Sequence, residues 1–128
     1  MNYHFSKRLD VPFDQAVARV IEALKREGFG VLTDIDVRAT LKAKLGEDFR
    51  PYRILGACNP QLAYRALRLE DKIGTMLPCN VIVQEHQGDG VEVSAVDPVA
   101  SMQAIQNPGL AELAKEVQAK LKRVVEGL

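Results

Sequence analysis

The spacing of apolar residues changes along the chain between two residues and three to four residues, which predicts β-strands separated by α-helices. A period of two predicts strands over residues 3–9, 29–35, 52–58, 80–86 and 91–96. Spacings of three and four predict helices over residues 12–27, 37–45, 60–72, 99–105 and 108–128. The predicted order is therefore strand, helix, four strands with helical excursions, and a closing helix.

Residues that favour helix ends support these boundaries. Asn59-Pro60 and Asn107-Pro108 each combine an N-cap side chain with a proline suited to the first helical turn. Asp10 and Asp36 are predicted to cap the helices that follow them. Gly28 is predicted to end the first helix in the left-handed conformation.

The predicted fold is α+β, with a mostly antiparallel sheet and helices packed on one face. Residues 87–90, Gln-Gly-Asp-Gly, join the last two strands as a hairpin. A meander continues this pattern most simply, so the strand ending at Cys58 and the strand beginning at Cys79 are predicted to be antiparallel. The helix between them then leaves and returns at one end of the sheet, and the two cysteines are predicted to be neighbours.

Composition restricts the class of protein. A chain of 128 residues, 47% of them hydrophobic, has the usual size of one globular domain, so residues 1–128 are predicted to form a single domain. The 17 basic and 17 acidic side chains balance, which argues against nucleic acid as a partner. No apolar run is long enough for a membrane helix, and the N-terminus lacks a signal-peptide pattern. We therefore expect a cytoplasmic protein with no membrane partner.

The two cysteines are the centre of the candidate chemistry. They lie in GACNP over residues 56–60 and MLPCN over residues 76–80, each followed by asparagine. Cys58 precedes a predicted helix N-terminus, where the helix dipole lowers a thiol pKa, so Cys58 is the candidate nucleophile and Cys79 the thiol that resolves it. The alternative is that both are small buried hydrophobic residues. In a reducing compartment we expect free thiols.

Asn59, Asn80 and Met76 extend this candidate site. The two amides can orient a bound anion or carbonyl group, and the methionine can line a pocket. Each residue has a structural alternative: an N-cap for Asn59, hydrogen bonding at a strand start for Asn80, and core filling for Met76. A soft-metal site would add His4 or His86 to the thiols, although the spacing matches no zinc or copper motif.

Several signatures of enzymatic sites are absent from the sequence. It contains no GxSxG, no GxxxxGK[ST], no GxGxxG and no HExxH motif. The sequence leaves open whether the protein is an enzyme, and it predicts no cofactor.

The segments GACNP over residues 56–60 and LPCNV over residues 77–81, together with Asp97-Pro98, resemble the domain of unknown function 302 family of small bacterial and archaeal proteins. The resemblance covers nearly the whole chain, and every signature cysteine, asparagine and proline is present. It implies a TATA-binding-protein-like order of strand, helix, four strands and helix, and it implies a homodimer, since some members are dimeric. No activity is established for the family, so the resemblance supplies no catalytic residue.

Three functions are consistent with the sequence. The first is a non-catalytic binding or interaction module whose small-molecule pocket is lined by Cys58, Asn59, Met76, Cys79 and Asn80. The second is a thiol redox or sulfur-handling protein in which Cys58 attacks and Cys79 resolves. The third is a soft-metal binder. We rank the binding module first, because two cysteines twenty residues apart are not the CxxC arrangement of redox enzymes.

Overall fold

The computed structural model describes residues 2–128 and has the predicted order of elements in an α+β arrangement. The strands are β1 (His4–Leu9), β2 (Gly30–Asp36), β3 (Tyr52–Cys58), β4 (Cys79–His86) and β5 (Gly90–Val96). The helices are α1 (Phe13–Arg26), α2 (Val37–Leu45), α3 (Pro60–Leu69), α4 (Pro98–Ser101) and α5 (Pro108–Glu126), and a 3-10 turn covers Ile73–Met76. Between residues 2 and 128, no helix has the length and apolar character needed to cross a membrane.

The strands form one antiparallel sheet in the order β1-β5-β4-β3-β2. Strands β2 to β5 follow one another as a meander, and α1 crosses the sheet so that β1 pairs with β5 at the far edge. The predicted antiparallel pairing of β3 and β4 is confirmed, with α3 and the 3-10 turn as the excursion between their ends. Parallel pairing would have required a crossover to the opposite end of the sheet.

One face of the sheet packs against α1 and α5 and holds the main core; we call it the helix face. Successive side chains of a strand alternate sides, so every second residue of the central strands points to this face. Leu55, Val83 and Val93 are examples, and all three are fully buried. Burying a side chain of this size contributes about 1.5–3 kcal/mol. The other side of the sheet, which α1 and α5 leave uncovered, is called the open face.

A second apolar cluster joins α3, α4 and α5. Its buried residues are Leu62, Ala66, Ile73, Met102, Leu110, Leu113 and Ala114. Helix α5 contributes to both clusters because its apolar residues recur at the predicted spacings of four and three along 19 residues. The helix therefore links the α3 and α4 region to the sheet.

The two ends of α1 are capped differently. At the C-terminus Gly28 adopts the predicted left-handed conformation, with φ of 86°, and the N–H of Phe29 donates to the carbonyl oxygen of Leu24 at 2.9 Å. This bond defines a Schellman motif, which favours glycine. At the N-terminus the prediction of an Asp10 cap is wrong, because Pro12 is the N-cap residue and no side chain caps the helix.

Strand β2 departs from the predicted alternation at Leu32. Val31 pairs with Ala57 of β3. Thr33 pairs with Gly56, so one extra residue lies between the two pairs. This β-bulge inverts the alternation, and the prediction of one continuous apolar side for β2 is wrong. Leu32 is 68% exposed, and Thr33 lies on the open face beside Gly56.

Asp97 holds α4 against α5. Its Oδ1 accepts hydrogen bonds from the N–H groups of Val99 and Ala100 at 3.0 and 3.4 Å, and from Nε2 of Gln118 on α5 at 3.0 Å. We expect Asp97→Ala to lower the free energy of unfolding by about 2 kcal/mol, because it removes an N-cap and leaves a half-buried amide without its acceptor. Urea denaturation followed by circular dichroism measures this loss.

Asp36→Ala is the matched control for this prediction. Asp36 caps α2 by accepting a hydrogen bond from the N–H of Ala39 at 2.9 Å, but α2 contributes no buried residue to the core. We expect a loss below about 1 kcal/mol, because only the cap is removed. Equal losses in the two variants would show that Asp97 acts as a cap alone and not as a link between helices.

Candidate functional site

The two cysteines lie at adjoining ends of β3 and β4, but the predicted pair of thiols is wrong. Cys79 is opposite Ala57 on the helix face, and Cys58, the next residue of β3, pairs with Gly30 of β2. Because side chains alternate along a strand, the two thiols belong to opposite faces of the sheet. Both cysteines are free. The antiparallel ends were predicted correctly, whereas the register that separates the thiols was not.

The Cys79 thiol is 7% exposed, within the main core. Burial, and to a smaller extent the charge of a Cys58 thiolate, raises the pKa of Cys79 to about 11. At neutral pH Cys79 is therefore protonated. Since the thiolate is the nucleophile and the metal ligand, the predicted resolving role of Cys79 is disfavoured.

The other predicted site residues have separate surroundings. The Asn59 side chain caps α3, accepting a hydrogen bond from the N–H of Leu62 at 3.3 Å, and it donates to the carbonyl oxygen of Glu27 at 3.4 Å. Its amide therefore joins α3 to the end of α1. Met76 is 41% exposed in the 3-10 turn. Asn80 is exposed on the open face and lines a cavity there.

This cavity has a volume of about 340 Å³ and extends over β1, β5, β4 and β3. Apart from Asn80, its lining includes Tyr3, His4, Ser6, Tyr52, Ile82, Gln84, Glu92, Ser94 and Val96. Hydroxyl, amide, imidazole and carboxylate groups thus surround a floor with apolar side chains. Both the volume and the mixture are typical of sites for small molecules.

A chain of hydrogen bonds crosses one side of the cavity. His4 Nδ1 lies 2.7 Å from Ser6 Oγ, and Ser6 Oγ lies 2.7 Å from Ser94 Oγ. Ser6 and Ser94 face each other because they are direct partners in the pairing of β1 with β5. Either hydroxyl can be the donor, so this pair can offer a ligand a donor or an acceptor.

A second network covers the other side of the cavity. Gln84 is only 9% exposed, because Arg50 lies over it and donates from Nε to Gln84 Oε1 at 3.0 Å. Glu92 Oε1 lies 3.5 Å from Gln84 Nε2 and 3.2 Å from His86 Nε2. The Arg50 guanidinium also lies over the Tyr52 ring, with its Cζ 5.6 Å from the ring centroid. These contacts hold the wall of the cavity in one arrangement.

Gly56 and Pro78 of the cysteine signatures pack against each other. Gly56 is opposite Asn80 on the open face, and a Cβ at Gly56 would lie 2.7 Å from Pro78 Cγ and 2.1 Å from Thr33 Oγ1. The Leu77–Pro78 peptide bond is cis. The absence of a side chain at Gly56 therefore allows the proline ring to approach the sheet, which is a structural role for the signature.

Neither histidine joins the cysteines in a metal site. The ring of His4 contacts Ser6, and the ring of His86 contacts Glu92. Among residues 2–128 there is no group of three or more His, Cys, Asp or Glu side chains that could hold a metal ion. The hypothesis of a soft-metal site thus gains no support.

Ser6, Ser94 and Gln84 were missed as site residues by the sequence analysis. A signal was present, because the apolar residues Val91 and Val93 alternate with polar ones, which indicates a polar side of β5. The pairing of β1 with β5 was not predictable from this alternation, and it is this pairing that brings Ser6 to Ser94.

The fold and the cavity define a two-layer α+β protein with helices on one face of the sheet and a ligand-sized cavity on the other. Comparison with known proteins then identifies its family. The model of the family described as "Domain of unknown function DUF302" matches residues 5–128. The chain belongs to this family, as its cysteine signatures predicted.

A solved structure agrees with this assignment. The chain is similar to the uncharacterized conserved protein DUF302 from Bacillus stearothermophilus, whose crystal structure has 31% sequence identity and a TM-score of 0.89, covering 97% of this chain and 96% of that one. No curated protein matches the chain. Family and fold are thereby established, and the function has to be argued from the cavity.

Proposed function

We propose that this protein is a small-molecule-binding module whose ligand occupies the open-face cavity. The observation that carries the proposal is the pair of hydroxyl groups of Ser6 and Ser94, 2.7 Å apart, in a cavity of about 340 Å³ that also contains the exposed amide of Asn80. Few, well-placed polar groups around an apolar floor are what orients a ligand in such a site.

The lining favours a ring-shaped ligand. Tyr3 lies beside β1 and Tyr52 lies on β3. Strands β5 and β4, which form the middle of the cavity, therefore run between two aromatic side chains. Ile82 contributes an apolar surface between them. Aromatic side chains stack on flat rings and on the apolar faces of sugars, and their hydroxyl groups add hydrogen bonds.

The charges near the cavity favour an uncharged ligand. Arg50 is engaged by Gln84 and by the ring of Tyr52, and Glu92 is engaged by Gln84 and His86. The guanidinium of Arg50 and the carboxylate of Glu92 are thus already paired within the protein. The neutral donors and acceptors of the hydroxyl pair are left for a ligand with hydroxyl or amide groups.

This site is displaced from the pocket expected at the cysteine junction and shares Asn80 with it. The thiol redox alternative ranks behind ligand binding, because burial raises the pKa of Cys79 to about 11 and strand alternation separates it from Cys58. The homodimer implied by the family resemblance stays a prediction, which sedimentation equilibrium checks.

Titration of ¹⁵N-labelled protein with uncharged ring compounds tests the proposal, beginning with adenosine, uridine, glucose and ribose. We expect saturable shifts in the amide resonances of Ser6, Ile82 and Ser94. Tyr52→Ala should weaken the binding of a responding probe about tenfold or more, because one aromatic wall is lost. Ser94→Val should weaken it about tenfold, which is the usual contribution of one hydrogen bond.

Tyr64→Ala is the matched control. Tyr64 is an exposed tyrosine on α3 that stacks with Arg68 and does not line the cavity. Its removal should leave the Kd of the same probe unchanged. The proposal fails if the ring compounds produce no saturable shifts on the open face, or if the two tyrosine substitutions weaken binding equally.

A further inference from the structure

The second apolar cluster is incompletely packed on two sides of Met102. A groove of about 180 Å³ opens to solvent between α4 and the first turns of α5. A smaller cavity of about 30 Å³, with almost entirely apolar walls, lies behind it and reaches Cys79. Met102, Leu110 and Ala114 line both spaces. The groove and the inner cavity therefore adjoin at these three side chains.

The chemistry of the two spaces favours an apolar occupant. Protein interiors are close-packed, and a void with apolar walls excludes water because water finds no hydrogen-bond partner there. Met102 is well suited to act as a movable partition, since its unbranched side chain has three rotatable bonds. If Met102 swings aside, the groove extends inward to the Cys79 thiol.

The rim of the groove carries a positive charge. Lys115 lines the mouth together with Gln103, and both are exposed. The nearest carboxylate to Lys115 Nζ is that of Glu112 at 3.6 Å, and both side chains are largely solvent-exposed, so this ion pair is weak. Lys115 is therefore available to an anion at the mouth, while Val99 and Ile105 offer apolar walls below it.

We propose that this groove is a second binding site, for the carboxylate of a medium-chain alkyl acid. The alkyl chain lies along Val99, Ile105 and Leu110, its end displaces Met102 toward the inner cavity, and the carboxylate pairs with Lys115. This site is independent of the proposed open-face ligand, because no residue that lines the groove or the inner cavity also lines the open-face cavity. The failure of either proposal would leave the other standing.

Isothermal titration calorimetry with hexanoate, octanoate and decanoate tests the inference. Each methylene that enters the groove should tighten binding about fourfold, so octanoate should bind about fifteenfold more tightly than hexanoate. The gain should diminish once the groove and the inner cavity are full. In ¹H–¹³C spectra the methyl resonance of Met102 should shift on binding, because this side chain moves.

Two exposed alanines of α5 provide a matched pair of variants. Ala111 lines the groove, whereas Ala119 lies outside it on the same helix, and both are exposed, so substitution should leave the fold intact. Ala111→Phe should abolish octanoate binding by filling the groove, and Ala119→Phe should leave it unchanged. Lys115→Gln should weaken octanoate binding about twofold to fivefold, the range for a solvent-exposed ion pair, but leave the binding of 1-octanol unaffected.

Three results would overturn the proposal. The first is an absence of octanoate and decanoate binding up to their solubility limits. The second is equal weakening by Ala111→Phe and Ala119→Phe, which would place the alkyl chain elsewhere. The third is an equal effect of Lys115→Gln on octanoate and 1-octanol, which would remove the carboxylate from the rim.

Discussion

Gly56→Ala is expected to lower the free energy of unfolding by about 2–3 kcal/mol, the upper range for overpacking a well-packed site. The new Cβ would lie 2.1 Å from Thr33 Oγ1 and 2.7 Å from Pro78 Cγ. Thr33 can rotate, but the ring of Pro78 cannot turn away, so the backbone on one side has to shift. Guanidinium denaturation followed by circular dichroism measures the loss.

Gly30→Ala is the control for this prediction. Gly30 lies on β2, and a Cβ there would have no atom within 4 Å, so we expect a change near zero or a small stabilisation. Adding Thr33→Ala to Gly56→Ala should recover part of the lost stability, leaving the contact with Pro78. If Gly56→Ala and Gly30→Ala have the same stability, the close approach of Pro78 to β3 is not a constraint on the fold.

The second large effect is a loss of stability at alkaline pH caused by Cys79. Its pKa rises from the ordinary value of 9.0 in the unfolded chain to about 11 in the fold, first because of burial and second because of Cys58. The folded state thus retains a proton that the unfolded state releases, so stability is fully present below about pH 9 and decreases until about pH 11. A rise of this size corresponds to about 3 kcal/mol.

Comparison with Cys79→Ala isolates this effect. Tyrosines and lysines also titrate near pH 10, so the quantity to measure is the difference in unfolding free energy between the natural protein and the variant from pH 8 to pH 11. We expect this difference to favour the natural protein most at pH 8 and to shrink by about 2 kcal/mol by pH 11, where half of the folded molecules have also ionised Cys79. A difference that stays constant with pH would mean that Cys79 ionises as readily in the fold as in the unfolded chain.

The strands and the long helices were predictable because each has a local cause. The left-handed Gly28, the Asn59 cap of α3 and the apolar spacing of α5 depend on residues within one or two turns of each other. The hairpin between β4 and β5 likewise depends on a local segment, residues 87–90, of which three join the strands and the last begins β5. These local features predicted the α+β class, which the antiparallel sheet confirms.

The candidate site was less predictable, because it depends on pairing between distant segments. Asn80 was expected to line a pocket with the two cysteines, but it lines the open-face cavity with Ser6 and Ser94, which come from the first and last strands. The motifs around the cysteines predicted a site with paired thiols, yet the side chain of Cys79 is part of the main core. Of the other signature residues, Asn59 caps α3, and Gly56 packs against Pro78.

The sequence by itself determined the order of the elements, every predicted helix cap except that of Asp10, and the family of this protein, because these follow from short-range backbone preferences and local motifs. The tertiary structure alone decided which residues face each other. The bulge at Leu32 inverts one strand, and the register places Cys79 opposite Ala57. A shift of one residue transfers a side chain to the other face of a sheet, and the hydrogen bonds that set this register connect residues far apart in the chain.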